Sequence, residues 1–119
     1  MEFEQAAAIL MQTGQWIMDH HMTWGNSGNM SLQLNEQEIL VTASGTRFDR
    51  LTPGNFTRCV LSDGAWTGPK PSKELPCHLG IYRSAPWAQA AIHVSPFYTT
   101  LAASSDLTIP NDLFVENMY

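Results

Sequence analysis

The chain has 119 residues, 44% of them apolar and 14% charged, with a net charge of −5. That is enough for one small domain with a core and too little for two, and no apolar run or basic-then-apolar leader points to a membrane, so a soluble cytoplasmic protein is expected. All six Lys and Arg lie between Arg47 and Arg83, against only Asp49, Asp63 and Glu74 in that window; an acidic chain with one basic island is a poor nucleic-acid binder and suits a small anionic ligand.

From Phe3 to about His21 the positions Phe3, Ala7, Leu10, Gly14 and Ile17 recur at three- and four-residue intervals. That spacing predicts an amphipathic helix closed by Trp24-Gly25, with His20 and His21 facing solvent or capping its end. After the loop Gly25-Asn26-Ser27-Gly28-Asn29, the apolar Met30, Leu32 and Leu34 alternate with Ser31 and Gln33, as in a half-buried strand. Glu38 to Thr42 is its expected antiparallel partner across Asn35-Glu36-Gln37. A second glycine loop, Thr42-Ala43-Ser44-Gly45-Thr46, precedes a third strand from Phe56 to Leu61, which turns at Ser62-Asp63-Gly64 into a short return around Trp66.

Gly68-Pro69-Lys70-Pro71 breaks the chain before a helix with Ser72 as N-cap and Leu75, Leu79 and Tyr82 toward the core. Ala88 to Val94 is expected to be a central strand, and Ser95-Pro96 to open a helix running to about Ser104. This order predicts an α/β sandwich around a largely antiparallel sheet. Cys59 and Cys77 show no metal or redox spacing and are expected to be buried reduced thiols. The final Val115-Glu116-Asn117-Met118-Tyr119 looks like an element cut partway through.

Gly25, Gly28 and Gly45 permit positive φ and close backbone approach, so that successive N–H groups can face one cluster of oxygens. Asn29, Ser44, Thr46 and Ser72 add neutral donors, and Lys70 and Lys73 add mobile positive charge. One such loop is ordinary turn chemistry; three in a short chain point to an anion site. Glu74 is a carboxylate beside that site, suited either to proton transfer or to complementing a helix dipole. His78 lies four residues further along the same helix face, and His93 lies on the last strand.

The motifs Gly28-Asn29-Met30-Ser31, Thr42-Ala43-Ser44-Gly45 and Pro71-Ser72-Lys73-Glu74, in that order, resemble the N-terminal part of the class II aldolase/adducin family (L-fuculose-phosphate aldolase-like). The resemblance implies substrate-phosphate contacts at Gly28, Asn29, Ser44, Gly45 and Ser72. Lys73 stands where the family has a second serine and adds a cation. It also implies that Glu74 is the catalytic acid/base in enediolate chemistry, beside Zn2+ or another divalent metal held by three histidines. Two of those histidines form a His-x-His pair on a strand. The resemblance makes His93, in Ile92-His93-Val94-Ser95-Pro96, a metal ligand whose partner is missing, lost by a one-residue deletion or, in an ungapped reading, replaced by Ser95.

By the same resemblance, residues 1–119 form one incomplete domain. Its expected fold is a three-layer α/β/α sandwich with a mostly antiparallel central sheet, truncated at the C-terminus and assembled as a homotetramer. The implied function is that of a metal-dependent aldolase, a carbon–carbon lyase acting on a phosphorylated ketose or related sugar acid. Epimerase, dehydratase or decarboxylase chemistry fits the same scaffold, and the broken histidine pair also fits a non-catalytic adducin-like assembly domain. The chain alone is expected not to be a competent aldolase, and neither nucleic acid nor membrane is an expected partner.

Overall fold

A computed structural model of the chain describes residues 1–110; the expectation about Val115 to Tyr119 lies outside them. The elements are α1 (Phe3–Asp19), β1 (Asn29–Gln33), β2 (Glu38–Thr42), β3 (Phe56–Val60), β4 (Trp66–Thr67), α2 (Leu75–Ser84), β5 (Ala90–His93) and α3 (Phe97–Ala103). The five strands form one sheet in the order β4-β3-β2-β1-β5, antiparallel at every pairing. The strand expected to be central, β5, therefore lies at an edge among the described residues, and its Ile92 is half exposed.

Alternation sends successive side chains to opposite faces, and each face meets a helix. Met30, Leu34, Leu40 and Phe56 pack with Ala6, Ala7, Leu10 and Ile17 of α1, closed off by Phe48 and Leu51. Ile39, Val41, Cys59 and Ala91 pack on the other face with Leu75, Leu79 and Tyr82 of α2. These are the layers of an α/β/α sandwich. Burying each large apolar side chain contributes about 1.5–3 kcal/mol. At Gly14 of α1 an added Cβ would come within 2.8 Å of the Phe48 carbonyl oxygen, so glycine sets how closely that helix approaches.

Helix α1 ends earlier than Trp24-Gly25. His21 takes a left-handed conformation (φ 54°), and the N–H groups of His21 and Met22 donate to the carbonyls of Met18 and Ile17. That is a Schellman termination with histidine in the place glycine usually fills. Helix α2 starts later than the Ser72 cap expected from sequence. Pro71 and Ser72 are held in extended pairing with the loop at Ala43, so the chain turns through Lys73 and Glu74 before Leu75 begins the helix. Of the two cysteines only Cys59 is buried; Cys77 is exposed because it falls on the solvent side of α2, and both are free thiols. No helix among the described residues is long and apolar enough to cross a membrane.

Candidate active site

The α2 face of the sheet opens, at the Asn29–His93 end, into a cleft of about 500 Å3. Gly28, Asn29, Ser44, Gly45, Thr46, Ser72, Lys73, Glu74 and His93 all line it, whereas Gly25, Lys70 and His78, also singled out from sequence, do not. Local conformation explains why the loops reach it. Gly28 sits at φ 91° with the His93 carbonyl oxygen 2.8 Å from where a Cβ would stand, so another residue would be both strained and blocked. Gly45, at φ 73°, has open space around it; its requirement is conformational only.

The two loops facing the cleft are laced together. Ala43 and Pro71 form an antiparallel bridge, flanked by the Ser44 N–H donating to the Lys70 carbonyl and the Ser72 N–H to the Thr42 carbonyl. Below them the buried Thr57 hydroxyl donates to the Pro69 carbonyl at 2.6 Å. The amides of Ser44 and Ser72 are therefore occupied within the protein. Also lining the cleft are the Gly45, Thr46 and Lys73 amides, which have no partner among the described residues, the Ser44 hydroxyl, the Lys73 ammonium and the Ser72 hydroxyl, which accepts from the Glu74 N–H and keeps its own hydrogen to donate. Such a set of amides, hydroxyls and one cation is a cradle for an oxyanion.

At the other end of the cleft a directed string of hydrogen bonds runs from the core to Glu74. Tyr82 Oη lies 2.8 Å from Ser31 Oγ, which is 2.7 Å from His78 Nδ1. His78 Nε2 is 2.5 Å from Asn29 Oδ1, and Asn29 Nδ2 is 2.5 Å from Glu74 Oε2. His93 Nδ1 meets the same Glu74 oxygen at 2.5 Å. Burial pushes the His78 imidazole below its ordinary value, with His78 only 2% exposed, so it is neutral and has one donor and one acceptor nitrogen. Asn29 Oδ1 can only accept, which makes His78 Nε2 the donor and Nδ1 the acceptor from Ser31. Ser31 in turn accepts from Tyr82, whose phenol burial pushes upward and so keeps protonated.

Two N–H donors, from Asn29 and His93, therefore converge on one oxygen of Glu74. Their own 3.4 Å approach is a consequence of that convergence and not a bond between them. The Asn29 amide, and after it the His93 imidazole, hold the Glu74 carboxyl below the usual carboxylate range despite partial burial. Oε1 has no hydrogen-bond partner among the described residues. Asn29, expected from sequence to touch phosphate, has its oxygen and one amide hydrogen engaged inside the protein, leaving one hydrogen for a ligand.

A divalent ion is the remaining expectation. Glu74 and His93 are adjacent, but no group of three His, Cys, Asp or Glu side chains able to hold a metal occurs among the described residues. His78 cannot join them, because Asn29 and Ser31 occupy both its ring nitrogens. Ser95 lines the cleft where the second strand histidine was expected, and it offers only a poor metal ligand. The donor set among the described residues does not by itself fit a structural or catalytic zinc site.

The sequence reading placed Tyr82 in the core but missed its hydrogen bond to Ser31, and it missed the buried roles of His78 and Ser31. Their signal was present: Leu75, His78, Leu79 and Tyr82 share the buried stripe of α2, and Ser31 lies on the same strand face as Asn29.

Residues 8–117 match the family described as Class II Aldolase and Adducin N-terminal domain. A 3-oxo-tetronate 4-phosphate decarboxylase from Haemophilus influenzae is 30% identical over 104 residues, 87% of this chain and 50% of that protein. A methylthioribulose-1-phosphate dehydratase from Methylococcus capsulatus is 37% identical over 102 residues, 85% of this chain and 50% of that one. Among solved structures, the L-fuculose-1-phosphate aldolase from Thermus thermophilus superposes with a TM-score of 0.74 at 26% identity, covering 97% of this chain and 59% of its own. The chain spans about half the length of the curated relatives it matches.

Proposed function

The chain belongs to the class II aldolase and adducin N-terminal domain family, and from that premise we propose that it forms the phosphate-binding and proton-transfer part of a lyase site for a phosphorylated keto sugar or sugar acid. The observation that carries the proposal is the convergence, in one cleft, of an oxyanion cradle with a carboxylate held ionised by two N–H donors. The relatives named above as a decarboxylase, a dehydratase and an aldolase have names that all carry a sugar-type phosphate. Aldol cleavage, decarboxylation and dehydration of a phosphorylated ketone share one need: a proton moved at a carbon or hydroxyl next to the carbonyl.

In this reading Gly45, Thr46 and Lys73 donate N–H groups to the phosphate, and Ser44, Ser72 and the Lys73 ammonium complete its shell. One end of the substrate is thereby fixed and its carbonyl end is directed toward Glu74 and His93. Glu74 is ionised and offers Oε1 as the base. Asn29 and His93 keep Oε2 in place, so the proton is taken or returned at a constant position. General acid–base help of this kind is worth roughly 10²–10⁴-fold in rate.

The test is a calorimetric titration with dihydroxyacetone phosphate, followed by proton NMR of the same mixture in D2O. Saturable binding, competed by inorganic phosphate and weakened by Ser72→Ala, is the expected first result; no binding would sink the proposal. Deuterium appearing at the hydroxymethyl carbon, and lost in Glu74→Gln with binding retained, is the expected second result. Ser95, in place of a second histidine two residues after His93, favours a second reading, a binding or assembly domain of adducin type. Binding without any exchange would select that reading instead.

A further inference from the structure

We propose that His78 is a positioning residue, whose Nε2–H tautomer fixes the Asn29 amide with its N–H toward the Glu74 carboxylate. The inference rests on the reading of Glu74 as the acid/base and concerns how that carboxylate is presented.

An asparagine amide is nearly symmetric in shape, and both orientations of Asn29 fit the space between His78 and Glu74. They differ entirely in charge. With Nδ2 toward Glu74 the amide donates to an anion. With Oδ1 there, a carbonyl faces a carboxylate and the carboxylate loses one of its two donors. What decides between them is the atom that His78 presents. A donor at Nε2 attracts Oδ1 and sends Nδ2 to Glu74, whereas a bare Nε2 would attract Nδ2 and reverse the amide.

The His78 tautomer is decided in turn from deeper in the core. Its Nδ1 faces the Ser31 hydroxyl at 2.7 Å, and that oxygen also lies 2.8 Å from Tyr82 Oη. Ser31 is fully buried, and Tyr82 is 3% exposed. A buried phenol must place its hydrogen, and Ser31 Oγ is its partner. Once Ser31 accepts from Tyr82, its own hydrogen goes to His78 Nδ1, and the ring's remaining proton is left on Nε2. The orientation is therefore carried over four hydrogen bonds, from a tyrosine in the α2 core to a carboxylate in the cleft. Only Glu74 and His93 at its outer end are substantially open to solvent.

His78, Ser31 and Tyr82 line no part of the cleft and touch no substrate in this arrangement. Their effect is on geometry alone, which separates the proposal from the ligand-binding role of the loops.

The test begins on the unmodified protein with 15N-labelled histidine, using two-bond proton–nitrogen NMR correlations. The expected pattern for His78 is a protonated Nε2 and an unprotonated Nδ1; a protonated Nδ1 overturns the proposal. Two variants follow, His78→Gln, which keeps a donor toward Asn29, and His78→Leu, which has none. Among the Asn29 side-chain amide protons, the one bonded to Glu74 is expected downfield in the wild type and in His78→Gln, and to move upfield in His78→Leu. An unmoved resonance in a folded His78→Leu protein overturns the proposal. Deuterium exchange should fall at least tenfold in His78→Leu at unchanged dihydroxyacetone phosphate affinity, and recover in His78→Gln. A wild type with the expected NMR pattern and no exchange would overturn the role of Glu74 and leave the positioning of Asn29 standing.

Discussion

The two faces of the sheet each meet one helix, yet they are filled with different chemistry. On the α1 face Met30, Leu34, Leu40 and Phe56 meet Ala6, Ala7, Leu10 and Ile17, a contact of apolar side chains. On the α2 face Ile39, Val41 and Cys59 meet Leu75 and Leu79, and then the filling changes toward β5 into Tyr82, Ser31, His78 and Asn29. A hydrogen-bonded polar string contributes little net stability, since each bond replaces one to water, but it fixes orientation because each group left unpaired is costly. The α1 side thus holds the domain together while the α2 side spends part of its interior on aiming one carboxylate.

Substitutions on the two faces should separate these roles. Glu74→Gln is expected to slow deuterium exchange into a phosphorylated ketone by about 10²–10⁴-fold while costing no more stability in urea than protonation of Glu74 does in the wild type. A larger loss of stability would mean that Glu74 is chiefly structural. Leu10→Ala, at 3% exposure on the apolar face, is expected to cost about 2–5 kcal/mol in urea unfolding, with phosphate affinity unchanged wherever the protein is still folded. A change in affinity would show that the faces are not independent. Ser31→Ala removes the donor to His78 Nδ1 at a fully buried position, with an expected cost of about 1–3 kcal/mol. Stability equal to wild type would argue that water replaces the hydroxyl.

The smallest effect is on pH dependence. Burial lowers the folded-state pKa of His78 below its ordinary 6.5, so between those two values the unfolded chain binds more protons than the folded one and stability rises with pH. Unfolding measured from pH 7 downward should therefore lose stability first just below pH 6.5, where His78 contributes. A second loss should follow below the ordinary 4.5 of Glu74, whose pKa is lowered by Asn29 and then His93. His78→Gln should remove the first step and leave the second. A first step that survives the substitution would have to belong to another histidine.

Much of this arrangement was legible in the chain. The alternation at Met30, Leu32 and Leu34, the turn at Asn35-Glu36-Gln37 and the stripe of α1 follow from periodicity, because each is set by neighbours a few residues away. The cleft residues were legible through their motifs, since glycines at positive φ and a Pro-Ser-Lys-Glu turn are local demands. What was not legible depends on partners distant in sequence. The engagement of Asn29 with His78 and Glu74 spans 49 and 45 residues. The late start of α2 follows from the pairing of Pro71 with Ala43, and the edge position of β5 from which strands flank β1. His21 at the end of α1 carried no glycine to announce it.

The bridge between Ala43 and Pro71 has a consequence for how tightly a ligand is held and for how long. Because the Ser44 and Ser72 amides are bonded to the opposite segment, the two loops form a single jaw whose halves cannot swing apart without breaking a piece of sheet. Ordering the loops is completed when the chain folds, so capture of an anion need not freeze them a second time. Preorganisation of this kind shows itself chiefly as slow escape of the ligand, because a gain in affinity is expressed mostly in the off-rate.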